Sequence, residues 1–456
     1  MVNYWKLLYM NGIPSILWHY LQTKYFRRFR SREELLAWQD KQVRRFLGEV
    51  LTKSPFYSKR YAGLDISDRE KLPIIDKSEM MANFDELNTV GIKKSAAFAI
   101  AEKAERSRNF SPTLNGVTVG LSSGTSGNRG LFLVSRKERY AWAGTILAKA
   151  LPKPIFTKQA IAFFLRANSN LYETVNSKRI QFKFFDLFQP LDNQIADLNC
   201  YAPDILVAPP SMLRLLADAR IRGDLQISPI KIISVAEVLD PLDETYISQV
   251  FGQILHQIYQ CTEGFLASTC KYGTLHLNED IVAIEKEYLD RDAGKFMPII
   301  TDFNRQSQPI IRYRLDDILT ESRTICPCGS VFTAIESIEG RQDDIFYLPS
   351  KTGEKLIPIF PDFIRRAIII ASEDIREYLV VQKNMQLIEI SLKVPNELLL
   401  STREKVDRSL VELFERSQCQ IPQITYSEYQ PKTAQHQKLR RVKREFNLNS
   451  LFPLLS

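Results

Sequence analysis

Residues 117–134 read Val-Thr-Val-Gly-Leu-Ser-Ser-Gly-Thr-Ser-Gly-Asn-Arg-Gly-Leu-Phe-Leu-Val, and no other stretch constrains the fold so strongly. Apolar and β-branched runs flank a loop of Ser, Gly, Thr, Asn and Arg, so the flanks read as strands. Gly124, Gly127 and Gly130 let the backbone turn tightly and leave N–H groups uncovered. Ser122, Ser123, Thr125 and Ser126 add four hydroxyls and Arg129 adds a charge. Donors packed this densely suit a polyanion, most simply the β- and γ-phosphates of a nucleotide. The loop is not a Walker A loop, because the Gly-Lys-Ser/Thr ending is missing and a strand follows where a helix would start. The competing reading is a plain hairpin loop.

The middle of the chain alternates between strand and helix patterns. Asp204–Ala208 reads as a buried strand, and Pro209-Pro210-Ser211 opens a helix bearing Met212, Leu213, Leu215 and Leu216. Ile230–Val235 is a second strand, Asp240–Val250 a helix, and Gln253–Tyr259 a third strand. Such alternation predicts α/β layers with parallel strands, whose ligands sit beyond the strands' carboxyl ends. The segments there are Ala236-Glu237 and Gln260–Gly264. Upstream, Ser31-Arg-Glu-Glu34 has the form of a capping box. The helix it opens carries Leu35, Trp38, Val43, Phe46, Leu47, Val50 and Leu51, and Ser54-Pro55 ends it. From about Gly340 the pattern changes to helix, strand (378–381), strand (386–394) and helix (396–416). The expected fold class is therefore α/β: a large multilayer α/β N-terminal domain, 1–340, and a small mobile α+β C-terminal domain, 341–456.

The 456 residues carry a net charge of +8 from 61 basic and 53 acidic residues, a weak signal for nucleic acid in so long a chain. The basic residues are interleaved with acids, and no RNA- or DNA-binding motif is visible. No run approaches the ~20 apolar residues of a membrane span. The N-terminal stretch is aromatic-rich, then basic at Lys24, Arg27, Arg28 and Arg30, with Gly12 and Pro14 as breaks. It makes a poor signal peptide. It reads either as a helix packed on the protein body or as one touching a membrane surface peripherally. Six cysteines in this length are no disulfide framework. A cytoplasmic setting with reduced thiols is the expectation.

Four further pieces accompany the loop. Tyr259-Gln-Cys-Thr-Glu263 puts an aromatic, a hydroxyl and a carboxylate at a strand end, and Pro309–Asp317 ends a basic, aromatic run in two acids. Gly340-Arg-Gln-Asp-Asp344 sits at the expected domain junction, and Lys438–Lys443 lies near the C-terminus. In order and spacing these pieces resemble the adenylate-forming superfamily of acyl-CoA synthetases and adenylation domains. Within it they are most similar to the branch of phenylacetate–CoA ligases and coenzyme F synthetase-like adenylyltransferases. The branch-level match includes Ala236-Glu-Val-Leu239, Ile311-Arg-Tyr-Arg314, Cys326-Pro-Cys-Gly329, Leu72-Pro73 and Asp76-Lys77, and the whole spans roughly residues 35–445.

The resemblance implies roles. Ser122, Ser123, Gly124, Thr125, Ser126 and Gly127 would cradle the ATP phosphates. Ala236 and Glu237 would border the adenine, with Tyr259 stacking on it. Thr262 would touch a phosphate, Glu263 would hold Mg²⁺, and Asp317 would bind the ribose hydroxyls. Arg341 would reach the ribose or phosphate, Asp343 would be the hinge, and Lys438 would span the α-phosphate and the acid oxygens. Joining a carboxylate to an α-phosphate brings two anions together, which calls for fixed donors, a cation and a metal at the developing charge. The chain departs from the superfamily in three places. The usual Lys after the loop is absent, with Arg129 near its place; Leu315-Asp316 replaces a Thr-Gly; and Gln260 replaces a Gly.

Cys270, His276, Cys326 and Cys328 form a possible Cys₃His zinc set, structural because four protein ligands leave no open position. The competing reading is buried free thiols and a turn-capping histidine. The expected activity is an ATP- and Mg²⁺-dependent ligase that activates a small-molecule carboxylic acid as acyl-AMP and passes it to CoA or an amine. The alternatives are transfer of AMP to a phenol hydroxyl, and a non-catalytic nucleotide- or membrane-surface-binding protein. Phe163, Phe164, Phe184, Phe185 and Phe188 suit an apolar acid, although core packing is the commoner use of such residues.

Overall fold

The computed structural model describes residues 12–107, 112–121, 130–165, 168–187, 189–341, 344–430 and 440–446. The expected phosphate loop (Ser122–Gly127), Arg129, Phe188, Asp343, Lys438 and the side chain of Arg341 lie outside the described residues. The chain divides into two compact units. One comprises Met1–Ala236, Ile247–Leu315 and Glu321–Glu336; the other comprises Glu237–Tyr246, Asp316–Thr320 and Ser337–Ser456.

In the first unit, β1 (Thr113–Leu114), β2 (Val117–Leu121) and β3 (Leu131–Val134) form an antiparallel sheet in that order. The runs on either side of the Ser/Gly loop are thus paired, Val119 opposite Leu133. The α/β part follows with β4 (Gln159–Leu165), β5 (Ile180–Asp186), β6 (Ile205–Ala208), β7 (Lys231–Ser234), β8 (Leu255–Cys261), β9 (Gly264–Thr269) and β10 (Leu275–Leu277). They lie in the order β5-β4-β6-β7-β8-β9-β10. The first five run parallel, joined through helices Leu191–Tyr201, Pro210–Arg222 and Pro241–Phe251. β6 is buried at every position, as a strand covered on both faces must be. β8, β9 and β10 then form an antiparallel meander. Further along, β11 (Ala283–Asp290), β12 (Lys295–Asp302) and β13 (Ile310–Arg314) pair antiparallel in sequence order. β14 (Asp317–Glu321) belongs to the second unit through Thr320, whereas β15 (Ala334–Arg341) begins in the first, beside β10, with Ala334 opposite His276.

Helix Gly12–Leu21 runs through Pro14, so Pro14 does not break it. It lies on helix Arg136–Ala150 at backbone contact, because a Cβ on Gly144 would stand 2.3 Å from the Ile16 carbonyl oxygen. No described helix is long and apolar enough to cross a membrane. Ser31 caps helix Arg32–Leu51 by accepting the Glu34 N–H at 3.2 Å, while the Glu34 carboxylate turns to the Arg30 N–H. The reciprocal capping box forms instead at Ser135 and Glu138. Ser54-Pro55 does not close the first of these helices, which stops at Leu51, but caps and opens Pro55–Arg60.

The second unit holds the hairpin β16 (Phe346–Pro349) and β17 (Leu356–Ile359). Its four-stranded sheet has the order β20 (Gln423–Glu428), β19 (Leu387–Lys393), β18 (Glu377–Asn384), β21 (Val442–Arg444). Helices Pro361–Ala371 and Leu399–Arg416 supply the facing layer. Val406, Leu410 and Phe414 recur every four residues, forming one buried stripe of the second helix. They join Phe346, Ile364, Ile368, Val380 and Ile390 in a single core.

Candidate active site and metal centre

The parallel strands deliver the expected nucleotide-binding residues of the first unit to their carboxyl ends. Ala236 follows β7 with φ +67, a conformation costly for a residue with a Cβ and commonest where function demands it. Tyr259 is buried on β8. Gln260 accepts a hydrogen bond from the Trp142 indole N–H at 3.0 Å.

Thr262 and Glu263 make the turn between β8 and β9, with Cys261 opposite Gly264. Glu263 is 9% exposed, and two hydroxyls orient its carboxylate. Thr262 Oγ1 donates to Oε2 at 2.8 Å, and the Tyr313 hydroxyl of β13 donates to Oε1 at 3.2 Å. The remaining lone pairs leave room for a hard cation, whose ligands are oxygens. Asp302, at the end of β12, lies close: a Cβ on Gly264 would meet its Oδ2 at 3.3 Å. Burial lifts the Asp302 carboxyl to about 6, against the pull of the Arg305 charge and the Asn304 N–H.

The phenylalanines split by strand alternation. Phe164 stacks on Phe185 with centroids 4.6 Å apart, whereas Phe163 contacts Tyr172 at 4.8 Å and Phe182 at 5.4 Å. Trp142 and Phe184 pack against the cluster that contains Phe163. Phe164 and Phe185 therefore belong to the other face of the sheet, and Phe163 and Phe184 share theirs with Trp142 and Tyr172.

Glu237, Asp317 and Arg341 fall in the second unit. There Asp344 is ion-paired to Arg440. Arg441 is 3% exposed and grips the Asp243 carboxylate at 2.6 and 2.7 Å. Asp240 accepts the Tyr378 hydroxyl at 2.6 Å.

Back in the first unit, Cys270, His276, Cys326 and Cys328 converge, their ligand atoms all within 4.8 Å of one another. Cys270 Sγ lies 3.6 Å from Cys326 Sγ, and Cys328 Sγ lies 3.4 Å from His276 Nε2. Zinc bonds of ~2.3 Å to sulfur and ~2.0 Å to nitrogen, set tetrahedrally, would separate two sulfurs by roughly 3.7 Å and sulfur from nitrogen by roughly 3.5 Å. A disulfide needs about 2.05 Å, and these two pairs stand at the metal-bridged spacing instead. The His276 Nδ1 pairs with the Phe332 carbonyl at 3.1 Å, which directs Nε2 into the cluster. N–H groups of Tyr272 and Ser330 donate to Cys270 and Cys328, each at 3.4 Å. Burial opposes ionisation of Cys326, but hydrogen bonds from Thr274, the Cys328 N–H and His276 outweigh it and bring the thiol to about 6. The donor set fits a closed zinc site.

Sequence reasoning did not single out Asp302, Arg305, Gln308 or the Tyr313 hydroxyl. Only Tyr313 carried a signal, being inside the Ile311–Arg314 run.

No family model and no curated protein matches the sequence. Solved structures do match over nearly the full length. A 2-hydroxyisobutyryl-CoA ligase in the postadenylation state, in complex with 2-HIB-AMP, superposes with a TM-score of 0.68 at 16% identity, covering 94% of this chain and 93% of that one. An acyl acid amido synthetase in complex with 2,4-DB superposes with a TM-score of 0.57 at 12% identity, covering 92% and 95%. At such identities the likeness establishes the fold alone: over more than nine-tenths of its length the chain has the α/β fold of these two enzymes.

Proposed function

We propose that the chain is an ATP-dependent adenylate-forming ligase of the phenylacetate–CoA ligase and coenzyme F synthetase-like branch. It activates a carboxylic acid as acyl-AMP and transfers the acyl group to CoA or an amine. The observation that carries this reading is the fold, shared over more than nine-tenths of the chain with a CoA ligase and an amido synthetase, together with a Thr262–Glu263 turn at the carboxyl ends of the parallel strands. An oxygen of the acid bonds to the α-phosphorus as the bond to pyrophosphate breaks.

In this reading Ser122–Gly127 hold the phosphates and Ala236, Glu237, Tyr259 and Asp317 hold the nucleoside. Glu263 holds Mg²⁺, which neutralises phosphate charge when bound. Lys438 bridges the acid and the α-phosphate, Arg341 reaches the ribose or phosphate, and Asp343 is the hinge between 1–340 and 341–456. The face bearing Phe163, Tyr172 and Trp142 gives an apolar wall suited to an apolar acid. Cys270, His276, Cys326 and Cys328 hold one structural zinc. Their spacing supports this, and so do the N–H groups aimed at their sulfurs.

ATP–pyrophosphate exchange over a panel of aliphatic and aromatic acids tests the reaction. Exchange dependent on Mg²⁺ and on at least one acid is expected. Its absence with every acid, in protein that is folded and metal-replete, would overturn the assignment.

A further inference from the structure

The short stretch Asp302–Gln308, between β12 and β13, makes contacts that the proposed reaction does not by itself call for. Among the described residues β3 is the outer strand of its sheet, so one row of its backbone groups has no strand partner there. Gln308, 1% exposed, fills that row as a neighbouring strand would. Its Oε1 accepts the Leu133 N–H at 2.8 Å and its Nε2 donates to the Leu131 carbonyl at 3.1 Å. Arg305 completes the edge: Nη2 donates to the Leu133 carbonyl at 3.3 Å, while Nη1 donates to the Thr262 carbonyl. A single guanidinium thus joins β3 to the residue immediately before Glu263. Its planar fork fixes the separation of the two acceptors, which a flexible ammonium would not do.

The stretch is itself held rigidly. The buried Glu138 carboxylate accepts the N–H groups of Gln306 at 2.6 Å and Ser307 at 2.8 Å, as well as that of Ser135 at 2.6 Å. Glu138 lies in the first turn of the helix that follows β3. Edge strand, helix start and metal-side turn are therefore tied together through this one short stretch.

We infer that Arg305 and Gln308 are positioning residues that set the distance between the Glu263 turn and the β3 strand, and so adapt the site to a magnesium-bound nucleoside triphosphate. The inference rests on the proposed function, because it takes Glu263 as the metal-side acid and β3 as the strand on which the Ser/Gly loop re-enters. A site that would take a metal-bound phosphate ligand gains from a fixed spacing, since supporting contacts made before binding leave less to order afterwards.

The test is calorimetric binding of ATP to the full chain with and without Mg²⁺, with melting temperature recorded in parallel. Wild-type protein is expected to bind ATP more tightly with Mg²⁺. In Arg305→Lys, which cannot reach both carbonyls, that gain is expected to shrink about tenfold while metal-free ATP binding stays within about twofold. Gln308→Glu, which loses the donor to Leu131, is expected to do the same more weakly and serves if Arg305→Lys does not fold. A purely structural role would lower the melting temperature and leave the Mg²⁺-dependent gain unchanged, and that outcome overturns the inference alone. Wild-type protein that binds ATP equally well with and without Mg²⁺ would remove the proposed role of Glu263 as well.

Discussion

The Cys₃His cluster and the Glu263 turn stand at opposite ends of one strand, and they present their donors in opposite ways. β9 starts just after Glu263 and ends just before Cys270, a span of roughly 20 Å at ~3.3 Å per residue. At the cysteine end four ligand atoms already converge, with backbone N–H groups behind the sulfurs. At the Glu263 end one carboxylate is aimed by two hydroxyls, and among the described residues no set of ligands closes around it. The first arrangement suits a metal that stays and holds loops together; the second suits a metal that arrives with its substrate. Breaking each end in turn should therefore separate fold from activity.

The largest effect is expected at the closed end. Cys326→Ser with Cys328→Ser should abolish zinc content and lower the melting temperature together. Metal loss belongs to the few changes that cost more than about 4 kcal/mol. At about 1 °C per kcal/mol for a chain of this size, melting should fall by ~4 °C or more. Elemental analysis showing no zinc in protein purified without chelators would refute the closed-site half of the comparison.

At the open end, Glu263→Gln should cut pyrophosphate exchange by about 100- to 1,000-fold, the usual loss when one preorganised electrostatic group is removed. Zinc content and melting should stay near wild type, because the side chain adds little to the core. Normal exchange by this variant would sink the assignment of Glu263. Tyr313→Phe should act in the same direction but less. It removes one hydrogen bond to a charged group, of about 1.5 kcal/mol, so exchange should fall about tenfold. An unchanged rate would mean that the 3.2 Å bond does not orient the acid.

How far these two ends were legible in the sequence follows from what each depends on. The parallel strands announced themselves because a strand covered on both faces needs a run such as Ile205–Ala208, which little else produces. Cys270, His276, Cys326 and Cys328 could be nominated because thiols are rare in this chain and a Cys-x-Cys pair is short. What the sequence could not display was convergence: β10 beside β15 sets Ala334 opposite His276, and this brings the 326–334 loop to the histidine. Local pattern also misled at Ser54-Pro55, where the same two residues read equally well as a helix stop and as the cap of the next helix. Arg305 and Gln308 left no trace because their partners are backbone atoms of β3 and Thr262, far away in sequence. Asp302 was equally silent, since an acid following a strand is ordinarily a solvated turn residue.

Asp302 gives the smallest and most specific test of the open end. It is 7% exposed, and its carboxyl, lifted chiefly by burial, titrates near 6 instead of near 4. A carboxyl whose folded value is raised is bound more tightly to its proton in the folded state. Its contribution to stability is therefore fully present below about pH 4, the unfolded value, and is lost as pH rises through about 6. A rise from near 4 to near 6 caps that contribution at about 3 kcal/mol. Asp302→Asn removes this titration while keeping the side chain's shape. In magnesium-free buffer the variant's melting temperature, relative to wild type, should climb between pH 4 and pH 7 by up to about 3 °C, at about 1 °C per kcal/mol. Every other titrating group is common to both proteins, so the difference isolates this one carboxyl. A difference that stays flat across that range would mean that Asp302 is ionised at low cost, and the environment beside Glu263 would then be wetter and more open than its burial implies.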